Sequence, residues 1–277
     1  MNLKDSIRHT LGNTLIKLLP KRSHQLAENG MTIIPANEFN KTDVLIRNAL
    51  LKNAELNNEH QTLGSYQEAY WKKRGHFFFK KFENRFEEIF LKEYAFIFNL
   101  LEQRLKKNRT SHLSLVEIGT GNGKVLEYLK NRFPQISSFI GIDLSKEQVA
   151  ENKQRYQAEK QMKFVAQDGL EWMMKNARNH LIIVTSGGVL EYFTPSKLKR
   201  LLEHLSNFQD ILFVAIEPKG PHHNFKKNPN TELYGPERSF SHNYPVLFQN
   251  AGFVLWHESY KISTLSNYHF CFIGAQR

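Results

Sequence analysis

Three glycines within five residues stand next to an acidic side chain in the run Glu117-Ile-Gly-Thr-Gly-Asn-Gly123. A short apolar run, Leu113–Ile118, leads into these glycines, and a helical pattern begins near Gly123. Glycines where a strand turns into a helix let the backbone pass close beneath a bound molecule, because no Cβ atom is in the way. The run therefore predicts a loop that binds a nucleotide-like ligand.

Two common nucleotide-binding motifs fit this loop less well. A phosphate-binding P-loop needs glycine at position 118 and Ser or Thr at position 125, and the chain has Ile118 and Val125 there. This excludes the P-loop interpretation. A dinucleotide-binding fold needs its third glycine at position 124, where the chain has Lys124. The dinucleotide interpretation is therefore weakened.

Two aspartates follow the next two strand-like runs. Asp143 ends the run Ser138–Asp143, 20 residues after Gly123, and at about this distance a carboxylate binds ribose hydroxyls in related folds. Capping of the following helix is the alternative role for Asp143. Asp168 follows the run Met162–Ala166. Because ligands lie at the carboxyl ends of parallel strands, both aspartates are expected near the glycines.

Together these segments resemble the class I S-adenosylmethionine-dependent methyltransferases, over residues 113 to about 217. The resemblance implies that the glycine-rich turn lies under the methionine part of the cofactor S-adenosylmethionine and that Glu117 organises its ammonium group. It also implies that Asp143 holds the ribose and that Asp168 meets the adenine amine. The cofactor-binding residues that it implies are Glu117, Gly119, Thr120, Gly121, Asn122, Gly123, Asp143, Leu144, Gln167, Asp168, Gly169, Ser186 and Gly187.

The fourth strand-like run, Leu181–Ser186, ends in Gly187-Gly188 and continues as Val189-Leu-Glu-Tyr-Phe193. Family branches that methylate the amino groups of adenine or glutamine carry Asn/Asp-Pro-Pro-aromatic here, and this chain does not. The segment Val189-Leu-Glu-Tyr192 resembles the corresponding sequence in the branches that methylate small molecules. We expect O-methylation of a small-molecule or glycan-like hydroxyl. The alternatives are N-methylation of a protein or RNA, and cofactor binding without catalysis.

A hydroxyl acceptor needs a group that takes its proton. The run Glu217-Pro-Lys-Gly-Pro-His-His223 leaves the end of the fifth strand-like run, Ile211–Glu217, and a histidine there has an ordinary pKa of about 6.5, close to neutral pH. The candidate catalytic residues are His222, His223, Glu217 and Glu191, with Tyr192, Tyr234 and His242 as further side chains near the same strand ends. A solvated loop with an incidental histidine pair is the alternative. No acidic cluster for a metal-assisted mechanism is found, so no metal is expected.

The order of strand-like and helical stretches around these motifs predicts the fold. Between residues 111 and 277, short apolar runs alternate with helical stretches, which is typical of a parallel sheet covered on both faces. The last two runs, Phe253–Tyr260 and Tyr268–Ala275, are joined by a link too short for a crossover helix and should pair antiparallel. We predict an α/β protein with a doubly wound, seven-stranded, mostly parallel sheet and an antiparallel C-terminal strand.

A helical N-terminal region is expected over residues 1 to 110, before the methyltransferase-like domain of residues 111 to 277. Phe78, Phe82, Phe86 and Phe90 recur every fourth residue, so residues 64 to 107 are predicted to form one or two long helices with these rings on one side. These helices are expected to pack against the core or to form a lid over the ligand. The boundary is placed at Lys106-Lys107-Asn108-Arg109.

The first 22 residues read as a basic amphipathic helix. Apolar side chains fall three or four residues apart and Pro20 ends the pattern. These side chains are Leu3, Ile7, Leu11, Leu15 and Leu18, and the basic residues around them are Lys4, Arg8, Lys17, Lys21 and Arg22. The pattern fits an anionic membrane surface, and it fits packing onto the rest of the protein equally well.

Charge and cysteine content limit the partners and the cellular compartment that we expect for the protein. The formal net charge is +11, and residues 1 to 110 carry 19 Lys+Arg against 12 Asp+Glu, which accounts for +7 of it. This excess favours anionic partners, nucleic acid among them, without naming one. The single cysteine, Cys271, allows no intramolecular disulfide and fits a reducing compartment. A cytoplasmic protein is expected, with peripheral membrane contact through residues 1 to 22 as a further expectation.

Overall fold

The computed structural model describes residues 3–33, 39–107, 114–265 and 268–277, and the chain divides into two compact units. The first unit is Met1–Arg74 with Leu233–Ser239, and the second is Gly75–Glu232 with Phe240–Arg277. The division therefore falls after residue 74, and a short segment from the C-terminal half belongs to the first unit. The sequence analysis placed the boundary near residue 110, and Asn108 and Arg109 of that boundary lie outside the described residues.

The first unit is built from helices. They are α1 (Leu3–Leu18), α2 (Pro20–Asn29), α3 (Lys41–Leu56) and α4 (His60–Lys81), of which α4 continues into the second unit. Helix α1 lies against α3 at Gly12, where a Cβ atom would lie only 2.5 Å from the Leu45 carbonyl oxygen and 2.6 Å from the Ala49 Cβ. Only glycine allows the two backbones to come this close. As predicted, α1 ends just before Pro20, which begins α2.

A buried arginine explains why residues 233–239 belong to the first unit. The Arg47 guanidinium donates hydrogen bonds to the carbonyl oxygens of Met31, at 2.6 Å, and Pro236, at 3.0 Å. The Gln67 side-chain amide donates to the carbonyl oxygen of Arg238 at 3.0 Å. Burial lowers the pKa of Arg47 to about 10, so it remains a cation at neutral pH. The segment is thus fixed to α3 and α4 by buried donors.

The second unit contains a seven-stranded sheet. The strands of the chain are β1 (Ser114–Ile118), β2 (Ser138–Asp143), β3 (Met162–Ala166), β4 (Leu181–Ser186), β5 (Leu212–Lys219), β6 (Glu232–Tyr234), β7 (Ser239–Ser241), β8 (Val254–Ile262) and β9 (His269–Gln276). The sheet order is β3-β2-β1-β4-β5-β9-β8, and β6 and β7 form a separate two-stranded sheet. Strands β1 to β5 pair in parallel, while β9 is antiparallel to both of its neighbours. The predicted mostly parallel sheet with an antiparallel C-terminal strand is confirmed.

Helices cover both faces of this sheet, as predicted. They are a π-helix (Phe86–Tyr94), α5 (Phe96–Lys107), α6 (Lys124–Arg132), α7 (Lys146–Arg155), α8 (Gly169–Asn176), a 3-10 turn (Leu190–Tyr192), α9 (Pro195–Leu205) and α10 (Tyr244–Asn250). The buried apolar residues of α8, α9 and α10 form one core, and those of the π-helix, α5, α6 and α7 form the other. The carboxyl ends of β1 to β5 therefore lie at one edge between two packed layers.

The region expected to carry a stripe of phenylalanines differs from the prediction. Helix α4 ends at Lys81, and a π-helix begins at Phe86 after a turn. The Ala95 amide bonds to the Phe90 carbonyl at 2.9 Å, five residues back. The rings still pair within each helix, with centroids 5.3 Å apart for Phe86 and Phe90 and 4.7 Å apart for Phe78 and Phe82, so the turn between the two helices is what interrupts the predicted stripe. Phe90 is buried whereas Phe82 is 43% exposed.

Packing of this region also explains the observed division of the chain. Phe90, Tyr94 and Phe98 belong to the same buried cluster as Val184 and Val214 of the central strands. The π-helix and α5 are therefore part of the layer that covers the sheet. They belong to the second unit because their apolar side chains are buried there.

Candidate functional site

The glycine-rich turn follows the fully buried strand β1. Gly119, Gly121 and Gly123 have φ values of +72°, +52° and +78°, in the left-handed region that favours glycine. A Cβ atom at Gly119 would lie 2.5 Å from the Val189 side chain, and one at Gly121 would lie 2.4 Å from the Phe79 ring. The turn therefore requires glycine for its conformation and for the close approach of these two side chains.

Glu117 is a buried carboxylate that links two strand ends. Its Oε2 accepts a hydrogen bond from the Thr120 hydroxyl at 2.7 Å, and its Oε1 accepts one from the Ser186 hydroxyl at 2.9 Å. Burial raises the pKa of Glu117 to about 8, against the opposing effect of these hydrogen bonds, and the nearby Asp143 adds to the rise. Within the described part of the chain, no cation forms an ion pair with it.

Asp143 ties the glycine-rich turn to the end of β2. Its Oδ2 accepts a hydrogen bond from the Gly121 amide at 2.9 Å, and its Oδ1 accepts one from the Ser145 amide at 2.9 Å. Burial raises the pKa of Asp143, and the backbone donors oppose that rise. Capping of α7 is carried by the Ser145 side chain, which accepts from the Gln148 amide. Asp143 therefore orders the turn, and a carboxylate has about four lone-pair sites, which is more than these backbone donors use.

Asp168 lies at the start of α8 with both carboxylate oxygens engaged. Oδ1 accepts from the Glu171 amide at 3.1 Å, as a helix cap, and Oδ2 forms an ion pair with Lys197. Beside it, the Gln167 amide donates to the Asp143 carbonyl at 3.0 Å. Asp168 thus lies next to the end of β2, and Lys197 is a neighbour that the sequence did not reveal.

The remaining predicted residues of the cofactor group lie at the same edge of the sheet. A Cβ atom at Gly169 would lie 2.4 Å from the Ile118 side chain, so the start of α8 is pressed against the end of β1. Leu144 and Asn122 are half-buried, and Gly187 follows β4 with a φ of +79°. The thirteen residues thus share the carboxyl ends of β1 to β4, because parallel strands all end at one edge.

Glu217 holds the turn that follows β4. Its Oε2 accepts hydrogen bonds from the amides of Val189 and Leu190, both at 2.9 Å. Burial raises the pKa of Glu217 to about 7. The side chain is fully buried and acts on the turn from the end of β5.

Glu191 lies within this turn. A Cβ atom at Gly188 would lie 2.5 Å from the Glu191 Oε1, so the carboxylate folds back over the glycine pair. Gly188 has a φ of +102°, which a residue with a Cβ rarely adopts. The structure therefore brings Glu191 to the end of β4, where the sequence analysis expected the acceptor side of the site.

The predicted histidines have different surroundings. His223 is buried, with Nδ1 2.8 Å from the Ser241 hydroxyl and Nε2 3.1 Å from the Asn228 carbonyl. His242 is also bonded at both ring nitrogens. His222 is exposed on the loop after β5. A general base needs a ring nitrogen that can reach the substrate, so the two buried rings are placed to hold the loop.

Of the two further tyrosines, Tyr234 belongs to the first unit, and Tyr192 is half-buried at the end of the 3-10 turn.

Arg85 and Tyr94 are site neighbours that the sequence analysis missed. A Cβ atom at Gly187 would lie 3.7 Å from the Tyr94 ring and 3.9 Å from the Arg85 guanidinium. Burial raises the pKa of Tyr94, and the Arg85 cation opposes the rise. Both residues fall in a stretch whose aromatic spacing indicated a packing helix. No local sequence signal connects that stretch with the glycine pair.

Comparison with known proteins agrees with this geometry. Residues 115–208 match the family model described as a methyltransferase domain. These residues contain β1 from its second residue, β2 to β4, the glycine-rich turn, both aspartates and Glu191. No curated protein is similar enough in sequence to count as a match.

Two solved structures show the same fold. One is magnesium protoporphyrin IX methyltransferase from Synechocystis PCC 6803 with bound S-adenosylmethionine, at 14% identity and a TM-score of 0.51, covering 76% of this chain and 94% of that one. The other is 1,6-didemethyltoxoflavin-N1-methyltransferase from Burkholderia thailandensis, at 15% identity and a TM-score of 0.52, covering 73% of this chain and 86% of that one. At these identities the likeness concerns the fold.

Proposed function

We propose that this chain, a class I S-adenosylmethionine-dependent methyltransferase, methylates a hydroxyl group of a small-molecule or glycan-like acceptor, with Glu191 as the general base. The observation that carries the proposal is the Glu191 carboxylate over Gly188 at the end of β4. Ligands of open α/β sheets bind at this edge. The two structural neighbours are named for small molecules, a porphyrin and a didemethyltoxoflavin, which supports an acceptor of that size.

The residues at the ends of β1 and β2 suit S-adenosylmethionine. Glu117 is a buried carboxylate that accepts hydrogen bonds from the Thr120 and Ser186 hydroxyls, and the cofactor's ammonium would stabilise its charged form. Asp143 retains lone pairs that could accept ribose hydroxyls. The Phe79 ring lies on Gly121, where it would form part of the wall of the site. We assign cofactor binding to Glu117, Gly119, Thr120, Gly121, Asn122, Gly123, Asp143, Leu144, Gln167, Asp168, Gly169, Ser186 and Gly187.

The chain's own contribution to the reaction is to orient the acceptor and hold its proton. When bound, S-adenosylmethionine supplies a methyl group that is already activated for transfer. In the proposal, the Glu191 carboxylate accepts the proton of the acceptor hydroxyl as that oxygen forms its new bond to carbon. Glu217 holds the Val189–Leu190 turn and so acts as a positioning residue for Glu191.

Glu191 is preferred over the other three candidate bases because of its position, since its carboxylate lies against Gly188 in the turn at the carboxyl end of β4. Both ring nitrogens of His223 are occupied by Ser241 and Asn228. One oxygen of Glu217 is bound by two backbone amides, and His222 lies on an exposed loop. His222 is therefore the second choice, because its ring is accessible to a ligand.

Methyl transfer from labelled S-adenosylmethionine tests the proposal. The protein is incubated with cell extract, and the label is followed into small-molecule, polysaccharide, lipid, RNA and protein fractions. We expect label in the small-molecule or glycan fraction, attached to oxygen. Label attached to nitrogen in RNA or protein would contradict the proposal.

Substitution of Glu191 tests its role with the acceptor thus found. Glu191→Gln should lower kcat by about 10²–10⁴-fold, because the base is lost, with S-adenosylhomocysteine affinity little changed. Glu203→Gln, an exposed position on α9, is the matched control and should behave as wild type. Wild-type turnover in Glu191→Gln would refute the assignment and leave His222 as the next candidate.

Peripheral contact with an anionic membrane is a second part of the proposal. Gly12 of α1 is buried against α3, while Leu3, Ile7, Leu11 and Leu18 are all more than half exposed. Leu15 is half-buried beside the small core of the first unit, so four of the five expected apolar residues remain outside. The exposed basic side chains on the same helix are Lys4, Arg8 and Lys17. Exposed apolar residues bordered by cations suit an anionic lipid surface.

Co-sedimentation with lipid vesicles tests this part. The wild type should bind phosphatidylserine-containing vesicles more than pure phosphatidylcholine vesicles, and the double variant Ile7→Gln/Leu11→Gln should bind at least about tenfold less, because two apolar side chains no longer enter the bilayer. Leu56→Gln, at another exposed leucine, is the control. Equal binding of the double variant and the control would contradict membrane contact through α1. No helix in the described ranges has the length and apolar character needed to cross a membrane.

A further inference from the structure

We infer that the acceptor carries an anionic group, a carboxylate or a phosphate, and that Arg85 and Tyr94 bind this group beside Gly187. The inference rests on the proposed function, since it places the acceptor at the end of β4. It goes further by naming a substrate class and two recognition residues.

The backbone at these residues has an unusual form. Arg85 immediately precedes the π-helix Phe86–Tyr94, and Tyr94 is its last residue. π-Helical turns are rare and occur frequently at functional sites. Here the two ends of the π-helix converge, because both the guanidinium and the phenol ring lie within 4 Å of the position a Cβ atom would take at Gly187.

The Tyr94 hydroxyl is a buried donor that lacks a hydrogen-bond acceptor among the described residues. It is buried and, within the described part of the chain, makes no hydrogen bond of regular geometry. Its ring is held by Phe270, with ring centroids 4.8 Å apart, and by Phe272, at 5.9 Å. Buried hydroxyls are normally hydrogen-bonded, since leaving one unpaired is unfavourable. An anionic ligand beside Arg85 would accept the hydrogen bond that this hydroxyl can donate.

Arg85 supplies the positive charge that an anionic group of the acceptor would bind. Its guanidinium lies 5.6 Å from the centroid of the Phe78 ring, and no carboxylate among the described residues forms an ion pair with it. The nearby Glu93 carboxylate is held through its Oε1, which accepts hydrogen bonds from the Thr264 amide and hydroxyl. Arginine binds carboxylates and phosphates with two parallel hydrogen bonds. An acceptor held in this way would present a separate hydroxyl to Glu191.

Calorimetric titration of the full chain loaded with S-adenosylhomocysteine tests the inference. The probes are benzoate, phenyl phosphate and the neutral benzamide. We expect benzoate or phenyl phosphate to bind at least tenfold more tightly than benzamide, and the tighter of the two distinguishes a carboxylate from a phosphate acceptor. Arg85→Gln should abolish the preference for the anion. Tyr94→Phe should weaken the anion about tenfold, because one charge-assisted hydrogen bond is lost.

Lys92→Gln is the matched control, since Lys92 is an exposed cation of the same π-helix. It should keep the anion preference, and all three variants should keep wild-type affinity for S-adenosylhomocysteine. Equal binding of the anionic and neutral probes, or equal losses in Arg85→Gln and Lys92→Gln, would overturn the inference. Methyl transfer to a neutral acceptor would overturn it as well while leaving the proposed function intact. An anion preference without any methyl transfer would instead overturn the proposed function.

Discussion

The carboxyl ends of β1 and β2 differ from those of β4 and β5 in how their polar groups are satisfied. At the first pair, both oxygens of Glu117 and both oxygens of Asp143 have protein donors with distances of 2.7 to 2.9 Å. At the second pair, the buried Tyr94 hydroxyl has no regular partner within the described residues. The carboxylates at the first pair are therefore satisfied by the protein itself, whereas the second pair has a buried donor that our inference assigns to a ligand.

The two pairs also differ in the origin of their residues. Thr120 and Gly121 contact the carboxylates at the ends of β1 and β2 from within the glycine-rich turn itself. Around Gly187, by contrast, Arg85 and Tyr94 come from a helical segment that precedes the sheet. The proposed cofactor contacts therefore come mostly from the glycine-rich turn and the strand ends beside it, whereas the proposed acceptor contacts of Arg85 and Tyr94 depend on the packing of a segment distant in sequence.

Asp143→Ala, which changes the first pair of strand ends, should have the largest effect of the substitutions considered, and the effect should be on cofactor affinity. The amides of Gly121 and Ser145 would lose their acceptor, and the cofactor would lose its ribose contact, so S-adenosylhomocysteine affinity should fall by about 1–3 kcal/mol. Glu217→Gln changes the second pair and should leave that affinity unchanged. Calorimetric titration measures both. Similar losses of S-adenosylhomocysteine affinity in the two variants would show that the two pairs of strand ends do not differ in cofactor binding.

The next largest effect should be on the pH dependence of stability, which should differ between Glu117 at the first pair of strand ends and Glu217 at the second. The pKa of Glu117 is about 8 in the folded chain, and that of Glu217 is about 7, compared with an ordinary glutamate value of about 4.3. The folded state therefore binds more protons than the unfolded state across this window. The contribution of each group to the free energy of unfolding falls as pH rises, up to about pH 8 for Glu117 and about pH 7 for Glu217.

Urea unfolding between pH 5 and 9 measures this effect. The wild type should lose stability relative to Glu117→Gln as pH rises to about 8, and relative to Glu217→Gln only up to about 7. Glu203→Gln should follow the wild-type profile throughout. A constant difference between wild type and Glu117→Gln over this range would show that the burial of Glu117 does not shift its titration.

Asp168→Ala should have the smallest effect. It removes the cap of α8 and the ion pair with Lys197, and a helix cap is worth about 1 kcal/mol. The melting temperature should fall by about 2–4 °C for each kcal/mol lost. Glu203→Ala, at an exposed acidic residue of α9 outside the site, provides a comparison for a general loss of charge. If Asp168→Ala leaves both stability and S-adenosylhomocysteine affinity unchanged, Asp168 contributes neither a cap nor a cofactor contact.

Local patterns explain what could be predicted from the sequence. The strand spans Ser138–Asp143, Met162–Ala166 and Leu181–Ser186 match the structure residue for residue, because apolar runs with turn-forming ends define buried strands. The glycine-rich turn was predictable since its conformation requires glycine at three positions. The cofactor side of the site is local in this sense.

The acceptor side was not predictable for equally physical reasons. The four-residue spacing of the phenylalanines indicated ordinary helices, and a π-helix leaves no comparable signal. His223 was a candidate base because of its residue type and its loop. Only the folded chain shows that Ser241, from β7, lies against its Nδ1. Such contacts join distant segments, so no local pattern contains them.

Titration of the wild-type protein with S-adenosylhomocysteine and, separately, with NAD tests the central claim most directly. Both ligands carry an adenosine, but only the first has the amino acid end that the Glu117 carboxylate would meet. The account predicts one binding site for S-adenosylhomocysteine and no measurable heat with NAD at the same concentrations. Binding of NAD without binding of S-adenosylhomocysteine would contradict it.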